Sequence, residues 1–330
     1  MLAGFVLIGF LGSLWSVILI AGLYALAALS ALPGRGRWRA LALLAAGGGA
    51  VYGVGLTLDA WRSPCNAESA YSCIRIEDRQ ALGAGPSRVL VIDHLVHGIN
   101  VRDHPDHFVM GYIELVDLLA RHRFDGVPER AFFVGGGAYT LPRAWLAAGG
   151  EAVVAELDPL VTTTAIERLW LEPAAGLVIH HQDARVALAA QQGDARPFDL
   201  IFGDAFQDVT VPPHLVTVEF AELVRDRLHP DGFYVINVID HALEPRFAAA
   251  VARTLAAVFP EVAIWRERAD LARSGRVNHV ITASERPLDL SAAEGAPPYN
   301  RQWHPIRLDL DAPILTDDHS PVERLLAAGR

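Results

Sequence analysis

Lysine is missing from the whole 330-residue chain: all 28 basic residues are arginine. A lysine Schiff base to pyridoxal phosphate and a P-loop lysine on nucleotide phosphates are therefore both excluded. Positive charge is also outnumbered, since 38 acidic residues bring the formal net charge to −10. No chain-wide basic field exists to hold a polyanion, which excludes nucleic acid as the main partner. Cysteine is scarce. Cys65 and Cys73 are the only two, spaced so that they could either bridge, which would suit an oxidising compartment, or stand as two thiols in a short connector. Charge of either sign is nearly absent from residues 1–60, where only Arg35, Arg37, Arg39 and Asp59 carry it. That segment carries +2, so the remaining residues carry −12.

What fills the uncharged front is hydrocarbon. Met1 to Gly34 holds no charge and is long enough for one tilted membrane helix, because about 20 apolar residues cross a bilayer. A second uncharged run, Ala40 to Leu58, contains Gly47, Gly48 and Gly49, which membrane helices tolerate. A signal peptide would open with positive charge, and this chain does not. Two transmembrane helices are expected, placing the protein in the inner (plasma) membrane with lipid around residues 1–60. The three arginines between the runs predict a cytoplasmic loop and both flanking ends outside.

From Glu68 onward apolar strand-like runs alternate with helical patterns, the signature of a parallel sheet covered on both faces. The runs are Ala131 to Val134, Ala152 to Ala155, Gly176 to His180, Phe198 to Phe202 and Gly232 to Val238, with later ones near Val262 to Arg266 and Val277 to Thr282. The proline-containing stretch from Arg286 to Pro305 is the nearest thing to a linker. Several runs end in glycine or an acid, and in open α/β sheets ligands bind beyond those ends. Gly135-Gly136-Gly137 lets backbone approach a ligand closely. Glu156, about 20 residues on, is placed to accept hydrogen bonds from ribose hydroxyls, which points to an adenosine-containing ligand. Thr140 stands where the dinucleotide fingerprint needs glycine, which disfavours a nicotinamide dehydrogenase. The 13 histidines include none in a His-Glu-x-x-His pattern, so no metal is expected.

Taken as blocks, these residues resemble the spermidine synthase (polyamine aminopropyltransferase) family, in particular its bacterial membrane-anchored branch. The likeness runs from about Glu68 to Leu326. Glu68-Ser69-Ala70-Tyr71 and Val89 to Asp93 resemble the family's small β region, and Tyr112 with Glu114 its Tyr-x-Glu helix start. Gly135 to Gly137 resemble its glycine loop, Glu156-Leu157-Asp158 its Glu-Ile-Asp strand end, Asp183-Ala184 its adenine-side acid, and Phe198 to Asp204 the strand delivering its catalytic acid. Pro213-His214-Leu215 and Leu315 to Asp318 resemble the membrane-associated branch.

The resemblance implies a Rossmann-like S-adenosylmethionine-dependent methyltransferase fold with a small N-terminal β region. It divides the chain into a membrane anchor (1–60), a connector with the β region (61–110) and a catalytic domain (111–330). It implies transfer of an aminopropyl group from decarboxylated S-adenosylmethionine, or S-adenosylmethionine itself, to an amine or polyamine, with no metal. Asp204 would be the base and Tyr112 would bond the incoming amine. Gly135, Gly136, Gly137, Glu156 and Asp183 would hold the donor, and His97 and Asp208 would meet the substrate. Such donors are cytoplasmic metabolites, which sets a cytoplasmic catalytic domain against the arginine-loop rule. A second copy of the chain is the remaining expected partner. Two departures stand out: Ala138 replaces the acid that follows the family's three glycines, and Gln207 and Asp208 alter its Asp-x-x-Asp. They leave a methyltransferase, or a non-catalytic polyamine or nucleoside sensor or transport accessory, as alternatives.

Overall fold

The computed structural model describes residues 7, 9–58, 61–81, 83–191, 197–206, 210–288, 293–295, 300–307 and 311–327. It divides into two compact units, residues 1–75 and 76–330.

The first unit holds helices α1 (Gly9–Ser30) and α2 (Gly34–Thr57), the short strand β1 (Ala67–Glu68) and the start of β2 (Cys73–Ala81). Leu11–Ser30 and Gly36–Thr57 are each long and apolar enough to cross a membrane, with mean hydropathies of 1.9 and 1.6. Gly12 leaves the helical backbone region, and past that break the Glu68 carboxylate accepts hydrogen bonds from Ser13 N (2.7 Å) and Ser13 Oγ (2.8 Å), capping the helix that continues. β1 pairs with β2 antiparallel, Ala67 opposite Ile74 and Glu68 opposite Cys73. Beside this pairing Cys65 and Cys73 form a disulfide, their Cα atoms 5.4 Å apart. Of the two alternatives open for the cysteines, the bridge is the one present.

In the second unit, β2 is followed by β3 (Gly85–Ile92) and β4 (Leu95–Val101), which pair antiparallel. After α3 (Gly111–Phe124) strands and helices alternate: β5 (Arg130–Val134), α4 (Thr140–Ala147), β6 (Glu151–Ala155), α5 (Pro159–Arg168), β7 (Leu177–His180), α6 (Ala184–Ala190), β8 (Phe198–Gly203), α7 (Val218–Arg227), β9 (Leu228–His241) and α8 (Arg246–Ala256). The chain then closes with β10 (Glu261–Glu267), β11 (Arg276–Ser284), β12 (Ala293–Glu294), β13 (Gln302–Ile306) and α9 (Val322–Ala327). The sheet order is β12-β13-β10-β11-β9-β8-β5-β6-β7. β5 to β9 run parallel and the rest antiparallel. This is the doubly wound, Rossmann-like sheet expected from the alternation of runs. The stretch from Arg286 to Pro305 is more than a linker, because it supplies β12 and most of β13 at the sheet edge. Pro305 is tolerated there as it would not be in a central strand.

Both faces are covered because strand side chains alternate. Phe132, Ile201, Ile236 and Phe247 share one core cluster with residues of α6, α7 and α8, whereas Phe133, next in sequence to Phe132, packs its ring on Trp145 of α4 and on Phe202. Polar side chains fix the helix starts: Asp158 accepts from Leu160 N, Asp183 from Arg185 N and Val186 N, and Asp240 from Phe247 N and Ala248 N.

Candidate active site

β5 and β8 are neighbours whose chains leave toward opposite edges of the sheet, and the crevice at such a switch point is where α/β folds bind ligands. Gly135 to Gly137 follow β5, Glu156 follows β6, Asp183 follows β7 and Asp204 follows β8, all at carboxyl ends.

The glycine loop is built for close approach. Gly135 has φ +95°, and a Cβ there would stand 3.0 Å from the Asp204 carbonyl. A Cβ on Gly136 would overlap the ring of Tyr139, which is fully buried with its hydroxyl 2.6 Å from Thr162 Oγ1. From the other side Asn100 of β4 donates to Ala138 O (2.8 Å) and accepts from Thr140 Oγ1 (2.8 Å). The backbone carbonyl of His97 would meet a Cβ on Gly137 at 3.2 Å, so β4 lies along the loop and half-buried His97 sits beside it.

Glu156 accepts hydrogen bonds from Gly136 N (2.8 Å) on one carboxylate oxygen and from Asp158 N (2.9 Å) on the other. Burial pushes its pKa up against the backbone donors of Asp158, Gly136 and Gly137. An ionised carboxylate has about four acceptor positions, so room remains for a ribose hydroxyl donor. Asp183 is the N-cap of α6 and also receives His214 Nε2 at 2.7 Å. Its carboxylate holds the helix start and keeps room for one further donor.

Asp204 is the most perturbed acid of the site. Tyr112, on the first turn of α3 and 6% exposed, donates its hydroxyl to Asp204 Oδ2 at 3.1 Å. Asn237 of β9, 2% exposed, donates Nδ2 to Oδ1 at 2.9 Å. Burial raises the Asp204 pKa from 3.8 to about 7, and the two hydrogen bonds oppose it. Burial, and then the Asp204 charge, push the Tyr112 phenol well above its usual value, so the phenol donates rather than ionises. A buried carboxyl group whose pKa lies near 7, at a strand end beside the glycine loop, is suited to accept a proton.

Tyr112, Asp204, the glycine loop and Glu156, all proposed from sequence, thus converge. Asp208 lies outside the described residues. Three participants went unnoticed. Asn237 and Asn278 sit in apolar strand runs, where the cost of burying an unbonded amide was the available signal. Arg301 donates to the Glu114 carboxylate and to Val109 O (2.7 Å), fixing the chain just before Tyr112; nothing local in the sequence pairs it with Glu114, 187 residues away.

No family model matches the chain. A polyamine aminopropyltransferase of Vibrio vulnificus is 31% identical over 121 residues, covering 36% of this chain and 40% of that protein. A probable polyamine aminopropyl transferase of Bifidobacterium longum is 28% identical over 193 residues, covering 52% and 42%. The chain therefore spans about two fifths of the length of these curated relatives. Among solved structures, a probable spermidine synthase from Corynebacterium glutamicum aligns with TM-score 0.58 and 25% identity over 66% of this chain and 78% of that one.

Proposed function

We propose, from the premise that the chain is a relative of the spermidine synthase family, that it transfers an aminopropyl or related group from a sulfonium nucleoside to an amine. The donor is decarboxylated S-adenosylmethionine or S-adenosylmethionine. The observation that carries the proposal is the Asp204 carboxylate, held by Tyr112 and Asn237 beside a side-chain-free glycine loop and a ribose-competent Glu156.

The chemistry asks for that arrangement. The lone pair of a neutral amine attacks the carbon beside the sulfonium, forming a C–N bond while the C–S bond breaks and its electrons stay on sulfur as methylthioadenosine. The surplus proton of the amine passes to Asp204, whose pKa near 7 suits an acceptor working at neutral pH. Tyr112 orients the carboxylate and the incoming nitrogen. Glu156 takes the ribose hydroxyls and Asp183 the adenine edge, and His97 together with Asp208, which lies outside the described residues, is assigned to the amine. The net −12 beyond residue 60 draws a polycation toward the site.

The two apolar helices are proposed as an inner-membrane anchor. We place the α/β unit on the cytoplasmic side, where sulfonium donors are made. The arginine loop and the closed disulfide argue for the opposite side. A reporter fused after Arg330 decides, and activity of a periplasmic reporter alone defeats the cytoplasmic placement.

Ala138, buried at 2% exposure where most family members carry an acid, favours one second function, methyl transfer from S-adenosylmethionine on the same fold. Mass spectrometry of detergent-solubilised protein incubated with each donor and a panel of di- and polyamines separates the two. Methylthioadenosine formed only with an amine present is the expected result. S-adenosylhomocysteine identifies a methyltransferase, and binding without product identifies a sensor or transport accessory.

A further inference from the structure

We infer that Asn278 is a positioning residue for Asp204, acting through the side-chain amide of Asn237. The inference rests on the proposed role of Asp204 as proton acceptor and extends the site by one strand. Asn237 lies in the middle of β9, flanked by the core residues Ile236 and Val238. A buried side-chain amide has two orientations, and they differ in what they turn toward a neighbour: a donor NH2 or an acceptor oxygen. Next to a carboxylate only the first is favourable.

Asn278 chooses between them. It sits on β11 opposite Ile239, one same-face step along from Asn237, so the two amides meet on the diagonal. Asn278 Nδ2 donates to Asn237 Oδ1 at 2.9 Å. The carboxylate only accepts, so Asn237 turns its nitrogen to Asp204, where Nδ2 stands 2.9 Å from Oδ1, and the Asn278 NH2 holds the Asn237 oxygen in that same sense. Donation therefore runs one way from Asn278 to Asn237 to Asp204, and Tyr112 donates to the other oxygen of the same carboxylate. Among the described residues, the side chains hydrogen-bonded to the Asp204 carboxylate are Tyr112 from α3 and Asn237 from β9, while Gly135 lies against the Asp204 backbone carbonyl; Tyr112 is the titratable one. His279, adjacent to Asn278, points to the other face of the sheet and is engaged with Arg266 at 2.6 Å.

Asn278→Asp is the decisive variant. Nearly isosteric, it replaces the donor by an acceptor and so pulls Asn237 Nδ2 away, turning Oδ1 onto Asp204. Ionised Asp204 then loses a donor and gains a repulsive neighbour, which raises its pKa. The expected result is a kcat at pH 7 lower by about tenfold or more, a smaller change in KM for the amine, and an acid limb of the kcat/KM profile displaced to higher pH. Asn278→Leu gives an intermediate shift, and Asn278→Ser, which keeps a donor, recovers part of the activity. The same ionisation is read without turnover from the carboxylic C=O band of Asp204 in pH-difference infrared spectra, with Asp204→Asn as the blank. A midpoint that rises in Asn278→Asp supports the positioning role even when no transfer product is found, an outcome that defeats only the functional proposal. A midpoint and profile that overlay wild type in Asn278→Asp and Asn278→Leu overturn the inference.

Discussion

Replacing Asp204 by Asn should cut turnover sharply and stabilise the fold at the same time. The two effects have one cause. In the folded protein the carboxyl group titrates near 7 instead of 3.8, because burial penalises its charge more than Tyr112 and Asn237 compensate. The folded state thus binds the proton more tightly than the unfolded chain. Stability from this group is fully present below about pH 4, falls as pH rises toward 7 and is flat above that. The span is 7 − 3.8, about 3 units, and at 1.36 kcal/mol per unit this is about 4 kcal/mol as an upper figure. Asparagine is neutral at every pH and keeps both hydrogen bonds, accepting from Asn237 and donating to the Tyr112 oxygen. Thermal unfolding followed by fluorescence of the buried Trp145, Trp265 and Trp303 should therefore give matching midpoints for wild type and Asp204→Asn near pH 4, and a variant several degrees more stable at pH 8. Turnover should drop by about 10² to 10⁴. Equal midpoints at pH 8, or a gap that does not change with pH, would refute the claim that burial holds this carboxyl group poised.

Glu156→Gln should weaken methylthioadenosine binding by about ten- to a hundredfold, the worth of a charged hydrogen bond; an unchanged dissociation constant in titration calorimetry removes the ribose role. Gly136→Ala should cost about 1–3 kcal/mol by overpacking, since the new methyl group runs into the ring of Tyr139; a denaturation midpoint equal to wild type contradicts the drawn loop. Maleimide should add no mass to unreduced protein purified under alkylating conditions and two adducts after reduction, because Cys65 and Cys73 are bonded. Labelling before reduction shows that the bridge does not form in the cell.

Much of this architecture could be read from the residues because each signal was local. Strand runs such as Phe198 to Phe202 owe their position to apolar side chains, and the acids at their ends are fixed by the strands that precede them. Glu156 and Asp204 could be placed in one crevice for that reason. Two features resisted. Asn237 and Asn278 are polar exceptions within apolar strands, and their pairing depends on the β9–β11 register, which is set by tertiary contact. β13 carries a proline and follows a stretch rich in small and polar residues, so its pattern gave no strand period; pairing with β10 makes it a strand. Asp183 showed its position but not its second duty, since the His214 partner arrives from 31 residues downstream.

The ring closed by Cys65 and Cys73 is also a chemical record of the chain's history. Two thiols that never leave a reducing pool remain nucleophiles, while a pair delivered to an oxidising one ends as inert sulfur. The bond follows the second apolar helix, so if that helix crosses a bilayer as proposed, its state marks the solution on that side. On the cytoplasmic placement proposed above that pair should be reduced in the cell, so the oxidation state of two sulfur atoms is an independent check on the placement.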